Sequence, residues 1–224
     1  MTSNEKTENI NNMWHIKYRP TCIADCILDH LEPFEKEALL YYEKTLKIPN
    51  LLFYGEPGTG KTTVARLLTG NEKYTALHFD GSCLKKERFF ELKPDLRSRS
   101  LTGNGLLIHI DEIDVLTNAE QNELRAMMEY TDGRVSWIFT TNELNKLMAP
   151  IRSRMTKFDF SILEDGARSM FAQSMNSLCQ RILKEEGIDD MPREEIEKIV
   201  SDNIGDMRGT INELQRRSQF KKAA

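Results

Sequence analysis

Residues 50-NLLFYGEPGTGKT-62 decide the fold. A short apolar run leads into three glycines, a lysine and a threonine, matching the pattern G-x-x-x-x-G-K-[ST]. A helical stretch follows, from Lys61 to a stop at Gly70. The residue types answer a chemical need. Gly58 and Gly60 let the backbone turn so that successive N–H groups face phosphate oxygens. The helix behind them adds the positive end of its dipole. Lys61 reaches the β- and γ-phosphates of a nucleotide, and Thr62 offers its hydroxyl to Mg2+.

A nucleoside triphosphate also needs a carboxylate for its metal, and 106-LLIHIDE-112 supplies one at the end of an apolar strand. Asp111 is expected to hold Mg2+, directly or through water, and Glu112 to polarise the attacking water. In Asn145-Lys146-Leu147-Met148, methionine stands where a guanine-reading aspartate belongs, so ATP is the expected nucleotide. The run 135-VSWIFT-140 leads to Thr141-Asn142. An amide at that strand tip can touch the γ-phosphate or the lytic water, or Asn142 can simply form a turn.

Further out, short apolar runs alternate with helical patterns, the mark of an α/β layer fold. The expected strands are 50–54, 75–79, 105–110, 135–140 and 156–160. The third is apolar enough to be covered on both faces, and the last alternates like an edge strand. Thr117 and Glu120 form a capping box for a helix running to about Tyr130. After Phe160 the pattern becomes wholly helical. A capping box spans 161–164, Phe171, Met175, Leu178 and Ile182 recur at helical spacing, and Gly187 is a stop. Pro192 fits the first turn of a second helix carrying Ile196, Ile199 and Val200, and a third begins near Asp206. The organisation read from this is a polar tail over 1–12, expected to be disordered, an α/β nucleotide-binding domain over 13–160, and a small helical lid over 161–224.

Composition sets limits. The chain has 224 residues, 39% hydrophobic and 29% charged, enough for a real core. Its net charge of −4 excludes a global basic field, so any DNA contact must be local. Cys22 and Cys26 lack a second pair for zinc, and with Cys83 and Cys179 read as reduced structural thiols. The four histidines are scattered and are assigned no chemistry. No signal-peptide pattern and no bilayer-length apolar run occur, so no membrane partner is expected. The expected location is cytoplasmic, or nuclear in a eukaryote, or the host cytoplasm if a phage encodes the chain.

The segments 14-WHIKYRP-20, 48-IPNLLFYGEPGTGKTT-63, 79-FDGS-82, 109-HIDEID-114, 121-QNELRAMMEY-130, 140-TTN-142, 151-IRSR-154 and 205-GDMRGTINELQ-215 fall in order along nearly the whole chain. Together they resemble an AAA+ ATPase, and more closely the small subunits of replication clamp loaders, in tailed phages and in replication factor C. The resemblance implies a P-loop, RecA-like AAA+ domain with a five-stranded parallel sheet, followed by the helical lid. It implies that Tyr18, Arg19 and Pro20 lie against adenine. Glu56, Pro57, Gly58, Thr59, Gly60, Lys61, Thr62 and Thr63 would hold the phosphates, with Asn142 and Arg208 as sensors near the γ-phosphate. Gln121 and Arg125 match a helix that couples neighbouring subunits. Arg154 matches the arginine finger that serves the ATP of the adjacent subunit. Met155 stands where the family has a packing cysteine. The sequence ends shortly after the Arg208 helix, where clamp-loader subunits usually continue into a collar domain. A pentameric ring with other clamp-loader subunits is expected if a collar is supplied.

Two surfaces follow from the same resemblance. Lys85, Lys86 and Arg88 lie in a basic stretch, 82–100, expected to contact primer–template DNA without reading its sequence. A solvated helix burying Leu84, Phe89, Phe90 and Leu92 reads the same stretch equally well. Met127, Met128 and Tyr130 are expected at a sliding-clamp surface, although methionines at this spacing also serve as core. The function expected is that of an ATPase subunit that loads a sliding clamp on DNA. The alternatives are another DNA-remodelling or helicase-loading AAA+ ATPase, or an ATP-binding assembly module without hydrolysis.

Overall fold

The computed structural model describes residues 13–71, 74–84, 105–131, 135–162 and 165–222. Among them lie strands β1 (Leu51–Tyr54), β2 (Thr75–Asp80), β3 (Leu106–Asp111), β4 (Val135–Thr141) and β5 (Thr156–Asp159). The helices are α1 (Trp14–Lys17), α2 (Pro33–Thr45), α3 (Lys61–Thr69), α4 (Asn118–Thr131), α5 (Ala149–Arg152), α6 (Asp165–Glu185), α7 (Arg193–Asp202) and α8 (Met207–Lys222). The residues divide into two compact units, 31–55 with 61–160, and 13–30 with 56–60 and 161–222.

In the first unit the strands form a parallel sheet in the order β2-β3-β4-β1-β5. Burial follows the sequence pattern. Five of the six residues of β3 are inside, as a strand covered on both faces requires. On β5 only Phe158 is buried, which suits its place at the sheet edge. Leu52, Ile108, Leu124, Trp137, Phe139 and Ile151 make the centre of the core. Each large apolar side chain taken from water there contributes about 1.5–3 kcal/mol. The capping box of α4 forms reciprocally: Thr117 N–H donates to Glu120 Oε2 at 2.8 Å, and Glu120 N–H returns a weaker bond to Thr117 Oγ1 at 3.4 Å. Because β1, β4 and β3 are neighbours, their C-terminal tips share one edge, the usual place for a ligand on such a sheet.

In the second unit α6, α7 and α8 surround Phe171, Met175, Ile182, Ile199 and Leu214. Gly187 ends α6 with φ +66°, and Ile188 N–H reaches back to Leu183 O at 2.9 Å. Pro192 sits at the N-cap of α7, one position before the first turn where the sequence pattern put it. The larger departure is residues 13–30, which belong here rather than with the α/β sheet. Trp14 is 6% exposed in this helical core, and its backbone N–H donates to Gln215 Oε1 at 3.0 Å. An indole needs a large apolar partner, and this helical core supplies it, while the backbone bond to Gln215 spans 201 residues of sequence.

Among the described residues no helix is long and apolar enough to cross a membrane. None of the four cysteines is in a disulfide. Cys179 is buried in the helical core, and burial pushes its thiol up to about 12, whereas Cys83 is exposed. Iodoacetamide labelling followed by mass spectrometry is expected to modify Cys83 in the native protein and Cys179 only after denaturation. Equal labelling of both in the native state would contradict the packing of α6.

Candidate functional site

The site is built at the strand tips. The loop after β1 turns into α3, whose first residue, Lys61, is 6% exposed. Its Nζ donates to Gly55 O at 2.8 Å, so the ammonium lies inside the loop it belongs to. Next along α3, Thr62 Oγ1 donates to Asp111 Oδ1 at 2.8 Å. Thr140, on β4, donates its hydroxyl to the same Oδ1, while its oxygen accepts from Glu112 N–H at 3.1 Å. Glu112 has φ 54° and ψ 50°, the left-handed region that costs a non-glycine residue roughly 1–2 kcal/mol. Its carbonyl lies where a Cβ on Gly81 would meet it at 2.4 Å, so only glycine fits there. The Glu112 side chain is exposed at this edge.

A hydroxyl and a carboxylate in contact are hard oxygen donors. Among the described residues, no group of three or more His, Cys, Asp or Glu gathers to hold a metal. The Thr62 hydroxyl and Asp111 carboxylate are oxygen donors of the kind that suit Mg2+, which commonly takes one or two protein ligands and the rest from phosphates and water. Below them His109 is 2% exposed, with Nε2 3.9 Å from Asp111 Oδ1. Burial pushes its imidazole down to about 4, against the pull of Asp111, so at neutral pH the ring is uncharged and leaves the Asp111 charge free for a cation.

Asn142 is exposed, and its backbone N–H is 3.3 Å from Asp114 Oδ1, which also accepts from Thr141 Oγ1 at 2.8 Å. Asp114 thus shapes the tip of β4. In the helical unit, Gly58 has φ +85°, and a Cβ there would lie 2.3 Å from Asp206 Oδ1. Asp206 caps α8 through Gly209 N–H at 2.9 Å, and Met207 N–H donates to Gly58 O at 3.2 Å. Arg208 follows, exposed. Tyr18 stands edge-on to Trp14 and donates its hydroxyl to Glu186 Oε1 at 3.0 Å, so the phenol end is already engaged. Arg19 is exposed and Pro20 half-buried.

Arg154 has a partner on its own chain. Its guanidinium lies 2.7 Å from Glu129 Oε1 and donates to Pro150 O at 2.6 Å. Arg125 holds the same carboxylate oxygen at 2.9 Å. All three side chains are more than a third exposed. Gln121 is not on a surface: it is 1% exposed, donates to Leu116 O and Lys146 O, and accepts from Met148 N–H at 2.8 Å. It ties α4 to the segment that opens α5. Met127 and Met128 are 1% and 7% exposed within the sheet's core, which corrects the clamp-facing expectation; only Tyr130 is exposed. They follow the ordinary preference of helical methionines for the interior. Met155 likewise fills that core.

Residues 51–163 match the ATPase family associated with various cellular activities (AAA). The chain belongs to the AAA family. It is 31% identical to replication factor C subunit 3 of Blastobotrys adeninivorans, over 94% of the chain and 61% of that protein. It is 32% identical to the sliding-clamp-loader large subunit of Enterobacteria phage T4, over 92% of the chain and 65% of that protein. To the replication factor C small subunit of Sulfolobus acidocaldarius it is 33% identical, over 94% of the chain and 64% of that protein. The chain thus spans less than two thirds of the length of these relatives. In fold it is similar to the RuvB Holliday junction branch migration motor of Thermotoga maritima, with a TM-score of 0.68 and 19% identity over 92% of the chain and 67% of that structure's chain.

At the strand tips the structure puts Thr62 against Asp111, with Lys61 just before Thr62 in the chain and Glu112 just after Asp111. Lys85, Lys86 and Arg88 lie outside the described residues, as do 1–12 and the second half of the 161–164 capping box. The sequence reading missed Thr140, Glu129 and Asp114. For Thr140 a signal was present, a hydroxyl at the tip of the strand beside an Asp-Glu pair. Nothing local marks Glu129.

Proposed function

We propose that this chain is an ATPase subunit of a DNA polymerase sliding-clamp loader. The observation that carries the reading is the extent of its likeness to clamp-loading subunits, above 90% of the chain, joined to the Thr62–Asp111 pair at the strand tips. In this reading Lys61 binds the β- and γ-phosphates of ATP, and Thr62 and Asp111 hold Mg2+. The ion, when bound, screens the phosphate charge. Glu112 accepts a hydrogen bond from the water that attacks the γ-phosphorus, Asn142 orients that water, and Arg208 contacts the γ-phosphate. Tyr18, Arg19 and Pro20 flank the adenine. Arg154 acts on the nucleotide of an adjoining subunit, and α4, on which Arg125 shares Glu129 with Arg154 and Gln121 is anchored inside, is the helix that couples neighbouring subunits. ATP binding orders a ring that grips an open clamp on primer–template DNA, with Lys85, Lys86 and Arg88 on the DNA backbone. Hydrolysis then releases both.

The test is ATP turnover by the protein in its full natural length, alone and with primed DNA, with clamp, and with both. Turnover is expected to rise most with both together and to fall steeply with added salt, since phosphate contacts release counterions. A rate indifferent to clamp and DNA but raised by a replicative helicase would replace this reading with helicase loading. A flat rate under every condition would leave a non-hydrolysing assembly module.

A further inference from the structure

One hydroxyl joins the Asp111 carboxylate to the main chain of Glu112. The ladder between β3 and β4 runs as far as Ile110 opposite Phe139. One residue further on, the Thr140 side chain takes over: it donates to Asp111 Oδ1 and accepts from Glu112 N–H at 3.1 Å. Both capacities of the hydroxyl are thereby used, and its direction is set. Thr140 is 2% exposed, so water does not compete for either bond. Asp111 Oδ1 receives a second hydroxyl, from Thr62 at 2.8 Å, which leaves its other oxygen for a ligand. Glu112 is held on its remaining sides by Val115 N–H, which donates to its carbonyl at 3.2 Å, and by the gap that Gly81 provides. Its main chain is therefore locked in a left-handed turn whose side chain has no other restraint than the direction that turn imposes.

We propose that Thr140 is the positioning residue of the hydrolytic step: its one hydroxyl fixes the main-chain turn that carries the Glu112 side chain relative to the Asp111 carboxylate. This rests on the reading of Glu112 as the group that meets the attacking water. Without the hydroxyl, Glu112 N–H loses its acceptor, its turn relaxes, and Asp111 keeps only the bond from Thr62. Nucleotide affinity, set by the glycine loop and Lys61, stays. Rate and metal requirement change.

The experiment uses Thr140→Val, which keeps the shape and removes the hydroxyl, and Thr140→Ser, which keeps the hydroxyl and removes the methyl. Glu112→Gln is the control for the underlying reading. ATP affinity, kcat, the Mg2+ concentration for half-maximal rate, and thermal stability are measured on each. Thr140→Val is expected to bind ATP within about twofold of the parent, to lose roughly 10- to 100-fold in kcat, and to need more Mg2+. Thr140→Ser is expected to recover to within a few-fold. If Thr140→Val does not fold, Thr140→Ala is read in its place. A normal kcat and Mg2+ requirement in Thr140→Val, or a Thr140→Ser as slow as Thr140→Val, overturns the proposal. So does a variant with lowered stability alone, since that is what a purely structural threonine would give. A Glu112→Gln protein that hydrolyses ATP normally refutes the reading of Glu112 itself. A stalled Glu112→Gln beside an active Thr140→Val refutes Thr140 alone.

Discussion

An assembly in which every subunit carries Arg154→Ala is expected to hydrolyse ATP about a thousand- to a hundred-thousand-fold more slowly than the parent, the range seen when an arginine is withheld from a γ-phosphate in trans. Each subunit should still bind ATP with its own affinity, because Lys61 and the glycine loop are untouched. The competing effect is the ion pair in which Arg154 sits, with Glu129 at 2.7 Å. That pair is exposed on both sides, and exposed pairs contribute at most about 1 kcal/mol. A thousandfold in rate is worth about 4 kcal/mol. If Arg154 is the finger, a neighbour's phosphate is expected to win the arginine from Glu129, leaving Arg125 to hold the carboxylate. Glu129→Gln distinguishes the two roles: it should leave maximal turnover within a few-fold, whereas Arg154→Ala should not. Turnover at the parent rate in an all-Arg154→Ala assembly would show that the Glu129 contact is all that Arg154 does.

Replacing Lys61 by alanine should weaken ATP binding by roughly 100- to 10,000-fold, read by titration calorimetry or a fluorescent ATP analogue. The side chain is buried at the start of α3, where it reaches phosphate oxygens without first being desolvated. Two charge-assisted hydrogen bonds, at about 1.5–3 kcal/mol each, set the range. Folding should survive, since alanine suits a helix better than any other residue and the substitution removes a buried ammonium. A Lys61→Ala protein with the parent's affinity would sink the phosphate-loop assignment, and with it the roles of Thr62 and Asp111.

The parts of this site that could be read from sequence are those whose chemistry is written in consecutive residues. Three glycines, a lysine and a threonine between a strand and a helix have few other uses, and Asp111-Glu112 closing an apolar run completes the set. The strands were legible for the same local reason, and their observed ends differ from the expected ones by a residue. Met127 and Met128 were misjudged because helical spacing alone does not say which side of α4 faces the sheet. Trp14 was assigned to the wrong unit because its partners lie two hundred residues away.

The chain's own order of residues determined that a glycine-rich strand-to-helix turn and an Asp-Glu pair closing a strand would exist, because each depends on backbone turns and periodicity that neighbours in sequence impose. Only the tertiary structure decided what those groups touch. Thr140 meets Asp111 and Glu112 because β4 lies beside β3, across 28 and 29 residues. Glu129 meets Arg154 because α4 ends near α5, across 25. A hydroxyl or carboxylate has no periodic signature of its own. Its partner is chosen by which strands pair and which helix ends meet, and that choice belongs to the buried core.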